Sequence, residues 1–148
     1  MRGMPEETGG EGALMTQVQA MSDPELNRAL AVLMGAKVVQ THNAAEGGGA
    51  PWYRLQGGGC RGRYERIAND TWKHVPDYCT DPAASLEVQA AACKINKAAF
   101  IGNLSYVLLG KSCAYLEAVS LELAADFCMA TPLQRAEAAY MTIQGARR

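Results

Sequence analysis

Apolar residues recur at three- and four-residue spacing through most of this chain. Only near its middle do they fall in short β-favouring runs. Leu26, Ala29, Leu30 and Leu33 lie at i, i+3, i+4 and i+7, the spacing of one helical face. Ser22, Pro24 and Glu25 supply the start of that helix as a capping box with proline in the first turn, and Gly35 supplies its stop. Ala84, Val88, Ala91 and Ile95 form a second stripe, and Leu86, Ala90 and Cys93 a neighbouring one. They predict a helix with a wide apolar face over about Pro82 to Asn96, capped by Asp81 or Thr80. Leu133, Ala136, Tyr140 and Ile143 predict a third helix, over about Pro132 to Gln144. Thr131 is its cap, Gln134 completes a capping box, and Gly145 is the expected stop.

Other segments are less regular. Residues 98–109 have the branched and aromatic content of a strand. Phe100, Leu104, Val107 and Leu108 also fit a helical stripe, and helix is the better reading, with Gly110 as its end. Residues 112–126, with Tyr115, Val119 and Leu123 four apart, again favour helix. Strands are expected at 37–41 and 51–56, with 61–67 as a third strand or an irregular loop. Residues 1–20 are polar and glycine-rich without a sustained period, and are expected to be a disordered leader to a single domain over 21–146. The expected fold class is α+β: a helix-rich domain with a small antiparallel sheet of two or three strands flanked by helices.

Two stretches, Pro76-Asp77-Tyr78-Cys79-Thr80-Asp81-Pro82-Ala83-Ala84 and Ala130-Thr131-Pro132-Leu133-Gln134-Arg135-Ala136-Glu137-Ala138, join a helix start to an apolar face. With the segment from Glu25 to Ala31 they resemble a family of small bacteriophage proteins, related in style to phage ABA-sandwich and NinX-like domains. The resemblance has its anchors near the start, middle and end of the chain, and matches residues 97–128 much less clearly. It implies helix–sheet–helix layering and a protein working in the host cytoplasm. No anchor is a catalytic motif, so the resemblance brings no active site with it.

Composition narrows the function classes. The 148 residues carry a net charge of −1, so no global basic field points to nucleic acid. No run of 18 apolar residues suggests a membrane span, and the start of the chain lacks the basic and apolar regions of a signal peptide. The five cysteines, Cys60, Cys79, Cys93, Cys113 and Cys128, show no paired spacing and read as small buried hydrophobes in a reducing compartment. With only His42 and His74 available, no metal site or cofactor is expected.

The residues that could carry chemistry cluster between 52 and 74. Gly57-Gly58-Gly59-Cys60-Arg61-Gly62-Arg63 could turn backbone N–H groups toward an anion, with Arg54, Arg61, Arg63 and Arg66 adding phosphate contacts. It lacks the Gly-Lys-Ser/Thr of a phosphate-binding loop, and a solvated loop is the simpler reading. Trp52 and Trp72, with Tyr53 and Tyr64, interleave with the arginines; they could stack on a nucleotide or pack as core. Cys60 is the best nucleophile candidate, because Arg61 beside it would lower a thiol pKa, and His74 is the nearest base in sequence. Asp77 and Asp81 could pair, but Asp81 is already explained as a cap. No catalytic set assembles. The leading expectation is therefore a non-enzymatic accessory protein that binds a host or phage protein, with its oligomeric state open. The alternatives are a binder of a small phosphorylated ligand or nucleotide signal and, more weakly, a nucleotide- or protein-modifying enzyme.

Overall fold

The structure, a computed structural model, describes residues 11–41, 50–60, 62–110 and 120–148. In chain order it contains α1 (Glu11–Gln19), α2 (Asp23–Leu33), β1 (Lys37–Thr41), β2 (Trp52–Gln56), a 3-10 helix (Ala68–His74), α3 (Pro82–Leu109), α4 (Leu121–Cys128) and α5 (Pro132–Ala146). The class is α+β: helix dominates, and β1 and β2 form a two-stranded antiparallel sheet.

The helix starts follow from local hydrogen bonds. At α2 the Glu25 carboxylate accepts from the Ser22 backbone N–H at 2.7 Å and from its hydroxyl at 2.8 Å. These bonds hold the Glu25 carboxyl below its ordinary value. At α5 the box is reciprocal: Gln134 N–H donates to Thr131 Oγ1 at 3.2 Å, and Thr131 N–H donates to Gln134 Oε1 at 2.8 Å. At α3 the Ala83 N–H donates to Asp81 Oδ1 at 3.0 Å. Residues 98–109 are helical and end on Gly110, whose φ of 73° is the left-handed cap that glycine adopts without strain. α3 is interrupted at Asn96, which is extended (φ −161°, ψ 102°) and accepts the Ala99 N–H at 3.0 Å. Asn96 thus caps a second helical segment, and the helix end expected there is a change of direction within one long element.

Two expectations about the ends of the chain are corrected. Residues 11–19 form α1, whose Leu14, Met15 and Val18 are buried in the main core, so this part of the proposed leader belongs to the fold. Three apolar side chains are too few to establish a period in sequence, but they suffice to dock one short helix on α5. Gly145 does not stop α5, which runs on to Ala146. Its missing side chain leaves room beside Leu14; an added Cβ would meet Leu14 Cδ1 at 3.7 Å.

The core lies between α3 and α5, with α1 and α2 closing its sides. α5 buries Ala136 and every residue from Ala138 to Ile143. Its alanines let α3 approach closely, and Leu26, Leu30, Val88, Phe100 and Leu104 fill the space around them. Arg147 donates to the Leu33 carbonyl at 2.6 Å, joining the end of α5 to a carbonyl in the last turn of α2.

Expectations that fall on 1–10, on His42, Arg61 and Cys113, and on the first part of the 112–126 helix lie outside the described residues. The rest of that helix is present as α4, capped by Ser120, which accepts the Leu123 N–H at 3.1 Å.

Candidate functional site

β1 and β2 pair in a register that sets Thr41 opposite Trp52, Val39 opposite Arg54 and Lys37 opposite Gln56. The anticipated third strand at 61–67 is reduced to a single bridge. Tyr53 and Glu65 exchange both backbone hydrogen bonds, at 2.8 and 2.7 Å. Gly62 lies tight on Leu55, where a Cβ would come within 3.1 Å of the Leu55 nitrogen, and the 3-10 helix begins at Ala68.

That bridge organises the site. In an antiparallel pair, residues flanking 53 and 65 share the opposite face, so Trp52 meets Arg66 and Arg54 meets Tyr64. The Arg66 guanidinium lies 3.6 Å from the Trp52 ring centre, and the Arg54 guanidinium 5.4 Å from that of Tyr64. Arg66 also donates to the Ala50 carbonyl at 2.7 Å. Two stacked cations therefore stand side by side on one face, which is open to solvent at Arg66 and at Tyr64, the latter 53% exposed. Arg54 Nε is buried with no hydrogen-bond partner among the described residues. An unpaired buried N–H is costly, so this donor calls for an acceptor that the described residues do not supply.

The other expected site residues have separate places. Trp72, half-buried on the 3-10 helix, takes Arg28 of α2 as its cation at 4.4 Å. Arg63 is exposed on the loop before the bridge. The expected core role for the aromatics holds only in part: Trp52, Tyr53 and Trp72 are half-buried and Tyr64 is exposed. Arg28 was not anticipated, because its pairing depends on tertiary contact with a residue far away in sequence.

The triglycine has a structural role. Gly57, Gly58 and Gly59 all have positive φ. A Cβ on Gly57 would lie 2.5 Å from the Gly35 carbonyl oxygen, a contact no side chain tolerates. The segment turns the chain out of β2 against the turn after α2, so it is packed in place and is not a freely solvated loop.

No nucleophile emerges among the described cysteines. Burial pushes the Cys60 thiol up, the opposite of activation. Burial, then the charges of Asp23, Asp77 and Glu137, push Cys79 up to about 12. Of the four described cysteines only Cys79 is fully buried; Cys60 and Cys93 are half-buried and Cys128 is exposed, so the uniform expectation of buried cysteines fails. His74 Nε2 lies 2.8 Å from Glu65 Oε1. Asp77 accepts from Asn27 Nδ2 at 3.1 Å and from the backbone N–H and hydroxyl of Thr80, bonds that lower its pKa and assign it to the turn before α3. Among the described residues no group of three or more His, Cys, Asp or Glu side chains could hold a metal, and no helix is long and apolar enough to cross a membrane.

Comparison with family models, with curated proteins and with solved structures finds no match to this chain.

Proposed function

We propose that this protein acts by binding and not by catalysis, and that the Trp52–Arg54–Tyr64–Arg66 face receives a phosphorylated ligand. The observation that carries this reading is the pair of cross-strand arginine–aromatic stacks on one face, beside a buried Arg54 Nε that has no acceptor among the described residues. Stacking holds each guanidinium flat and preorganised, so less side-chain freedom is lost when phosphate oxygens bind. The ring systems add a surface on which a base can lie. Arg63 extends the positive charge along the neighbouring loop. On the resemblance to phage proteins, the setting would be an infected host's cytoplasm, and the ligand a nucleotide signal or a phosphorylated group on a partner protein.

The test is thermal-shift titration with mono-, di- and cyclic nucleotides at two salt concentrations. Binding should raise the melting temperature and weaken as salt increases. Arg66→Ala combined with Arg54→Ala should remove the shift while the circular dichroism of the helices is unchanged. Arg66→Lys should restore little, because a lysine keeps the charge but loses the planar stack. The absence of any shift across the series would reject the reading.

A further inference from the structure

A second feature lies on the opposite side of the chemistry, in the helical half. A cavity of about 390 Å³ opens between α1, the second segment of α3 and α5. Its lining includes Leu14, Asn96, Asn103, Met141, Thr142 and Arg148. That volume lies in the range of small-molecule sites.

Asn103 gives the cavity a chemical direction. The residue is only 9% exposed. Its Nδ2 donates to Thr142 Oγ1 at 2.9 Å, and the Thr142 hydroxyl donates onward to the Ala138 carbonyl at 2.8 Å. Because the Thr142 proton is committed to Ala138, its oxygen must accept, and this fixes which end of the Asn103 amide faces it. The Asn103 Oδ1 and the second Nδ2 hydrogen have no partner among the described residues. Oδ1 is not among the sealed, unpartnered atoms, so it remains reachable from the cavity that Asn103 lines. A nearly buried carboxamide thus keeps an acceptor oxygen and a second N–H free, held in orientation from behind by Thr142. Leu14 and Met141 offer apolar contact to a flat molecule, and Arg148 offers a positive charge.

We propose that this cavity is a binding site for a small planar anion whose edge carries an N–H beside a carbonyl, as in a nucleobase lactam or a lactam amino acid such as pyroglutamate. The amide edge pairs with Asn103, the flat body lies between Leu14 and Met141, and the phosphate or carboxylate meets Arg148. The site is independent of the ribbon face and does not rest on the function proposed for it.

Saturation-transfer NMR and calorimetry on the full chain test this, with uridine monophosphate, uridine and pyroglutamate as probes. At least one anionic probe should bind with a dissociation constant below about 1 mM. Asn103→Ala should weaken it by at least about tenfold, the cost of losing a paired buried amide. Arg148→Ala should weaken the anionic probes and leave uridine unaffected. Arg66→Ala should retain binding, which separates this site from the ribbon. Preference for the uridine compounds or for pyroglutamate identifies the source of the edge. Ala146→Phe, at an exposed position on the cavity wall, blocks the site without removing a core side chain, and should abolish binding even if Asn103→Ala fails to fold. No binding of any probe at several times that concentration, or binding that survives both Asn103→Ala and Ala146→Phe, would overturn the proposal.

Discussion

The helical half and the ribbon half of this protein are held together differently. Around α5, stability comes from burial: alanines at the contact with α3, large side chains around them, and polar groups such as Thr142 tied to backbone carbonyls. Around β2 there is little core. Leu55 is buried outside the main hydrophobic cluster, and the face above it is held by stacked cations, one backbone bridge and tightly placed glycines. Among the described residues each half leaves one buried polar atom without a partner, Tyr78 Oη in the main core and Arg54 Nε in the ribbon. The two differ in access: Tyr78 is sealed in the core, whereas Arg54 stacks on a face open to solvent at Tyr64 and Arg66, which is why a ligand is proposed for the ribbon.

Removing α1 should produce the largest effect. A chain starting at Met21 loses Leu14, Met15 and Val18 from the core. At roughly 1.5–3 kcal/mol for each large buried apolar side chain, the total is several kcal/mol, a large fraction of a typical domain's stability. Urea denaturation should show a markedly lower midpoint or no folded baseline. A truncated chain as stable as the full one would mean that α1 contributes little to the bundle.

Next comes the ribbon's anchor. Gly57→Ala forces a side chain into φ of 89° and against the Gly35 carbonyl. Strain at such positions costs on the order of 1–3 kcal/mol before the steric clash is added. The change should loosen the ribbon first, seen as faster amide exchange at Tyr53 and Leu55 while the α5 amides stay protected. Uniform loss of protection would show that the two halves unfold as one unit.

Caps give a smaller, sharper test of the helical half. Thr131→Ala should destabilise by about 1 kcal/mol, and Thr131→Ser should be nearly silent. Equal effects in chemical denaturation would mean that the hydroxyl at 131 contributes nothing.

The smallest effect is electrostatic. Burial, and then the charge of Asp23, push the Glu137 carboxyl above its ordinary value of 4.5. The folded state therefore holds this proton more tightly than the unfolded state does. The penalty of the charged form is complete above the folded pKa and disappears below about 4.5. Glu137→Gln should accordingly stabilise the protein slightly at pH 7, and the advantage should vanish as pH falls toward 4. A constant difference across that range would mean that Glu137 acts through packing and not through charge.

The elements most legible in the sequence are those specified by near neighbours. Ser22 with Glu25, Asp81 with Ala83, Thr131 with Gln134, and Gly110 each need residues within four positions, so the helix starts and the end of α3 could be read directly. The two strands were legible for a related reason: Gly57–Gly59 interrupts the β-favouring run where β2 ends. Within the site, the clustering of Trp52, Arg54 and Arg66 was visible, but the partner of each ring was not. Stacking depends on the one-residue bridge between Tyr53 and Glu65, and a slip of one position would send those side chains to the opposite face. Folding in space decided that Leu14 would pack beside Gly145 and make α1 part of the core, that Arg28 would cover Trp72, and that Cys128 would be exposed while Cys79 was buried. Local hydrogen bonds are encoded by spacing, whereas burial and ring pairing depend on which distant surfaces meet.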